Sequence, residues 1–174
     1  MKRIVFLLLF SVLVVNSYAQ TSFDMSKVTV GGAFGMQFGN YTMITIAPQV
    51  GYNFTDFLNA GVGISYSFYK DDYSSGTDRI VEKSNYAGLN IYGRLYVLDY
   101  LAIQAQPEIN YMTNKIEYKN SNLPDVKTEK AVPSFVVGAG FRMGPAFAML
   151  KYDLVQDSYS PYGKRIFYSV GFSF

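Results

Sequence analysis

The 174-residue chain carries 15 basic and 13 acidic residues, 16 Tyr, 14 Phe and 15 Gly, and no Cys, His or Trp. So even a charge leaves no electrostatic footprint for nucleic acid, and without cysteine there is neither a disulfide framework nor a lipid-attachment thiol. With neither histidine nor cysteine the usual Ser–His and Cys–His catalytic pairs cannot form, so the sequence argues against an enzyme.

Met1-Lys2-Arg3 precede an apolar run from Ile4 to Val15, which ends in Asn16-Ser17-Tyr18-Ala19-Gln20. A short basic segment, an apolar core and small residues at Ser17 and Ala19 predict a signal peptide over 1–19, cleaved after Ala19. The apolar run is shorter than the roughly 18 residues a helix needs to cross a bilayer. An uncleaved N-terminal anchor is the alternative. Cleavage would remove Lys2 and Arg3 and leave a neutral domain over 20–174, with 13 residues of each sign.

In chain order the mature segment predicts eight strands, at Lys27–Phe38, Met43–Phe54, Leu58–Lys70, Ser84–Val97, Leu101–Tyr118, Val132–Met143, Ala146–Val155 and Lys164–Phe174. Each alternates with period two, the pattern of a strand whose faces meet different surroundings. In the third, Leu58, Ala60, Val62, Ile64, Tyr66 and Phe68 oppose Asn59, Gly61, Gly63, Ser65 and Ser67. The fourth sets Leu89, Ile91, Leu95 and Val97 against Asn90, Tyr92 and Arg94, and the eighth sets Ile166, Tyr168, Val170, Phe172 and Phe174 against Ser169, Gly171 and Ser173.

Any half-buried antiparallel sheet alternates. Here, however, the polar face is small and the apolar face bulky, as expected when lipid touches the outer wall and the lumen is polar. Tight turns at Thr55-Asp56-Phe57, Leu98-Asp99-Tyr100 and Gly144-Pro145 alternate with long connections at 71–83 and 119–131 and a middling one at 156–163. Glycosylation-like Asn40-Tyr41-Thr42 lies in the short first connection. The predicted fold is an all-β, eight-stranded, antiparallel up-and-down transmembrane β-barrel, closed because hydrocarbon tolerates no unpaired sheet edge. Pro48 and Pro107 fall on outward faces, and a bulge or strand end is expected at each.

Segments such as Ile46-Ala47-Pro48-Gln49-Val50-Gly51-Tyr52, the Leu58–Gly63 alternation and the aromatic ending Phe172-Ser173-Phe174 resemble the small outer-membrane β-barrel family of the OmpX and OmpA kind abundant in Bacteroidetes. The resemblance covers the whole mature chain. It implies residence in the outer membrane of a Gram-negative cell, contact with outer-membrane lipid, and insertion by the barrel-assembly machinery, which would read Phe172 and Phe174. A tie to secretion-accessory barrels of the PorT type rests on shape alone.

Arg94, Glu108, Arg142, Lys151 and Asp153 fall on predicted inward faces. Eight strands leave an interior just wide enough for side chains to fill, so these charges predict a polar plug in which Glu108 and Asp153 neutralise the three cations. The competing reading is a narrow ion path. Asp71, Gly76 and Glu82 mimic the spacing of a calcium loop, but Tyr73 occupies a ligand position and no helices flank it, so neither metal nor cofactor is expected. Gly138-Ala139-Gly140 sits within a strand and suggests no nucleotide. The polar loops 71–83 and 119–131, with Tyr159, Pro161 and Tyr162 capping the last hairpin, are the candidate binding surface of a monomeric barrel for envelope structure or surface binding. A secreted soluble barrel is the remaining alternative.

Overall fold

The computed structural model describes residues 24–38, 41–75, 78–118 and 125–174; the predicted signal peptide lies outside the described residues. A 3-10 turn, Met25–Lys27, opens the described residues, and the Ser26 N–H donates to the Asp24 carboxylate that caps it. Eight strands follow: β1 (Val28–Phe38), β2 (Tyr41–Thr55), β3 (Leu58–Ser75), β4 (Asp78–Leu98), β5 (Leu101–Tyr118), β6 (Val126–Met143), β7 (Ala146–Asp153) and β8 (Phe167–Ser173). Each pairs antiparallel with its sequence neighbours, and β8 returns to β1 to close the barrel.

The side-chain period of two divides every strand between lumen and outer wall. Val62, Ile64, Leu89, Ile91, Val170 and Phe172 all point outward, each more than half exposed. Asn59, Ser65, Ser67, Asn90, Arg94 and Ser169 point inward and are buried. A water-soluble barrel would reverse this sorting. On β3 the apolar outer face runs from Leu58 to Phe68, and eleven residues at about 3.3 Å each, tilted by roughly 40°, span about 28 Å, close to the apolar band of a bilayer barrel.

At the upper margin of this band, Tyr66 Oη donates to Asn85 Oδ1 at 2.8 Å and Tyr111 Oη donates to a Glu129 carboxylate oxygen. These tyrosines place a ring in the apolar layer and a hydroxyl in the polar one. The other end carries Phe54, Phe57, Tyr100 and Phe141, all exposed around the tight turns. Glycine keeps the lumen passable for packed side chains. A Cβ on Gly171 would fall on the Gly32 carbonyl oxygen and the Phe147 ring. At the β6–β7 turn Gly144 adopts φ 59°, a conformation other residues rarely take.

Three expectations need correction. Within the regions 71–83 and 119–131, expected as connections, residues 71–75, 78–83 and 126–131 are strand. Strands β3 and β4 stay paired as far as Ser75↔Asp78, and β5 and β6 as far as Ile116↔Val126. Backbone pairing continues above the apolar band because each strand already has a partner to extend. Pro48 and Pro107 cause neither bulge nor strand end. Pro48 pairs with Gly32 and Pro107 with Phe135, and each leaves a gap in the ladder on its other side without shifting the register. Each gap is two register pairs wide and the same register resumes beyond it. The register shifts occur instead at Asn53/Thr55 and Tyr96/Leu98, beside the tight turns. Finally, β7 and β8 are short and their connection, residues 154–166, is longer than predicted and folds inward.

Candidate functional site: the plugged lumen and the mouth above it

The inward face of β5 places Gln104, Gln106 and Glu108 in one column, two residues apart, all buried. Arg94 of β4, paired with Gln104 across the ladder, donates to its Oε1 from Nε at 3.1 Å and from Nη2 at 3.0 Å. Gln104 Nε2 donates to Gln106 Oε1 at 2.7 Å, and Gln106 Nε2 donates to Glu108 Oε2 at 2.7 Å. An amide has a donor at one side and an acceptor at the other, so the two glutamines link cation to carboxylate in a single polarised line. The Arg94 guanidinium also lies 4.2 Å from the Phe147 ring centroid and 5.3 Å from that of Tyr92, where the ring faces favour a cation.

The β7–β8 connection completes the column from above. Tyr162 Oη donates to Glu108 Oε1 at 3.0 Å, joined there by Ser65 Oγ at 3.1 Å. The Tyr162 ring stacks on Phe167 with centroids 4.4 Å apart. Ser160 Oγ donates to Asp153 Oδ2 at 2.6 Å, while Asp153 Oδ1 accepts from the N–H groups of Phe135 and Val155 at 3.0 and 3.1 Å. Pro161 and Tyr162, expected as an exposed cap, are therefore buried as a stopper, and only Tyr159 of that trio stays outside.

Of the predicted lumen charges, Arg94, Glu108, Lys151 and Asp153 are buried within the barrel. Arg142 is not deep. It sits half-buried at the turn end, donating to the Gly144 carbonyl at 3.0 Å with its guanidinium 4.4 Å from the Tyr96 ring. No ion pair within 4.0 Å joins Glu108 or Asp153 to Arg94, Arg142 or Lys151 among the described residues, and Glu108 acts on Lys151 through space. Neutral donors satisfy each carboxylate instead. Gln104 and Gln106 were missed from the sequence, although their alternation toward Glu108 marks them as inward; Ser160 and Tyr162 carry no such signal, because nothing in a loop sequence says it turns inward. Phe172 and Phe174 both face outward, their rings parallel and 6.3 Å apart.

Above the stopper the mouth forms a cavity of about 440 Å³, lined by Tyr69, Tyr86, Tyr159, Glu82, Asn114 and Lys164 among others. Asn114 Nδ2 donates to Glu82 Oε1 across its wall. Higher still, Lys115 bridges Glu117 at 3.2 Å and Asp125 at 2.9 Å, and Lys83 bonds Glu117 at 3.1 Å. Hydrogen bonds to Asp125 and Glu117 raise the Lys115 pKa, and hydrogen bonds from Lys127 and Tyr111 lower that of Glu129. No group of three metal-ligating side chains occurs among the described residues.

A closed eight-stranded barrel with a lipid-facing apolar belt, short turns at one end and raised strands at the other is an outer-membrane barrel protein. The family comparison agrees: residues 5–164 match the family described as outer membrane protein beta-barrel domain, and the chain belongs to that family. Its location is therefore the Gram-negative outer membrane. Among curated proteins none matches significantly. Solved structures of similar fold include Ail, the attachment invasion locus protein of Yersinia pestis, at 12% identity and TM-score 0.52, covering 84% of this chain and 96% of that one. Ail in complex with the heparin analogue sucrose octasulfate gives 13% identity, TM-score 0.50 and coverages of 84% and 96%. The N-terminal barrel of Pseudomonas aeruginosa OprF gives 15% identity, TM-score 0.45 and coverages of 85% and 98%.

Proposed function

We infer that this is a non-enzymatic, monomeric barrel, freed of residues 1–19 on export, that binds ligands at its extracellular end while its lumen stays shut. The carrying observation is the contrast between the two ends of the lumen and the sheet above it. The interior is filled by the Arg94–Gln104–Gln106–Glu108 line and stoppered by Tyr162, whereas β3–β6 continue as a paired sheet well beyond the apolar belt. A wall needs no such extension to span lipid; a display surface does. Outward Phe172 and Phe174 fit recognition by the barrel-insertion machinery. Ail has been crystallised with a heparin analogue, which makes a sulfated oligosaccharide a reasonable first probe for the mouth, where Lys164 and Arg165 stand.

Replacing residues 70–83 by a two-residue turn tests the reading. Above the belt these residues pair only within the raised sheet and with the top of β2, so the barrel should still fold and keep its heat-modifiable migration. Binding of ligand-coated beads or host cells by bacteria displaying the protein should fall to background. Unchanged binding across a panel that the intact protein captures would refute display by this sheet. Steady conductance of the intact protein in a planar bilayer would refute the closed lumen.

A further inference from the structure

Lys151 is a buried cation of the lumen with no direct ion pair among the described residues, and Glu108 acts on it only through space. It is 5% exposed, and its ammonium makes no hydrogen bond and no ion pair within 4.0 Å among the described residues. The direct contacts of Glu108 are Ser65, Gln106 and Tyr162, and those of Asp153 are Ser160 and the N–H groups of Phe135 and Val155. Lys151 lines a cavity of about 30 Å³ together with Gln49, Ser169, Met43 and Phe167. Gln49 is 6% exposed, and its Nε2 is a buried donor without a partner. Across the lumen Arg94 adds a second cation that contacts only an amide oxygen and ring faces.

A buried ammonium left alone is costly, and the cost is relieved by an opposite charge held with hydrogen bonds. The cavity admits about two water-sized bodies, which suits a halide and excludes a sulfate, a phosphate or a sugar. The geometry points to an anion site in the lumen, in which Lys151 and Gln49 hold one small monovalent anion such as chloride. The anion supplies the direct, hydrogen-bonded counter-charge that Glu108, acting on Lys151 only through space, does not.

Bromide is the probe. Crystals grown in sodium bromide should show one lumen anomalous peak within hydrogen-bond distance of Lys151 Nζ. In solution, a ligand bound only by the folded state lowers the unfolding constant tenfold for each tenfold rise in ligand above its dissociation constant. Urea unfolding at fixed ionic strength, with bromide exchanged against sulfate, should follow that slope for the native protein. Lys151→Met should be flat, whatever its own stability, because the readout is the dependence on anion. Gln49→Glu should be flat as well, its carboxylate serving as the counter-charge. No lumen peak, a flat native response, or a slope retained in Lys151→Met would each overturn the site.

Discussion

Changing Tyr162 to Phe removes a single hydroxyl and keeps the ring. The ring's stack on Phe167, at 4.4 Å, should persist. What is lost is the 3.0 Å hydrogen bond to Glu108 Oε1, whose carboxylate keeps Ser65 and Gln106 as donors. A hydrogen bond to a charged acceptor contributes about 1.5–3 kcal/mol net, and each 1.4 kcal/mol is a factor of ten, so the open state of the stopper should gain roughly ten- to a hundredfold in population. Amide hydrogen exchange reads this locally. The N–H of Ser160 bonds the Asp157 carbonyl, that of Tyr162 bonds Ser160 Oγ, and that of Gly163 bonds the Ser160 carbonyl. All three should exchange faster by that factor in Tyr162→Phe, while the β4–β5 ladder amides stay unchanged. Equal exchange in both proteins would mean that the hydroxyl contact does not hold the loop. Acceleration spread through the ladder would mean that the loop is part of the barrel's global stability and no separate stopper.

Leu89→Arg, in the middle of the outer belt, should destabilise the barrel by about 2–4 kcal/mol in lipid vesicles, measured by urea unfolding, whereas Lys83→Gln on the raised sheet should change it by under about 1 kcal/mol. Gly171→Val would drive two methyl groups into the Phe147 ring and the Gly32 carbonyl; overpacking of this kind costs about 1–3 kcal/mol or more, and a loss of the heat-modifiable band would report it. The Glu129 carboxylate, held low by Lys127 first and Tyr111 second, binds its proton less readily folded than unfolded. Its contribution is therefore complete above the ordinary carboxylate pKa of about 4.3 and is lost as pH falls through the lower folded value. Exchange at residues 127–131 should accelerate on acidification through that range, and Glu129→Gln should abolish the dependence.

Period-two alternation was enough to read the wall from the sequence, because Leu58 through Phe68 and Ile166 through Phe174 can satisfy lipid and lumen in only one register. The same pattern put Arg94, Glu108, Lys151 and Asp153 inside. It could not say how they are satisfied. Their partners are either neutral amides of the same strand or residues of a loop, and alternation carries no information on where residues 154–166 travel. Arg142 follows the inward parity too, yet lies close enough to the Gly144 turn to reach water. The raised strands were misread as loops because polar residues on both faces remove the alternation while leaving backbone pairing intact. Pro48 and Pro107 misled in the opposite direction: a missing donor was read as a broken strand, when a neighbour on the other side suffices to hold the register.

The ladder between β1 and β8 joins the strands furthest apart along the chain, and it runs only from Gly31↔Ser173 to Phe34↔Val170, with Val30 and Phe174 exchanging bonds below. Contacts between distant segments form late, because the intervening chain must be ordered first. Until that seam closes, the sheet has two unpaired borders, β1 and β8. The continuity of the ring rests on this short seam.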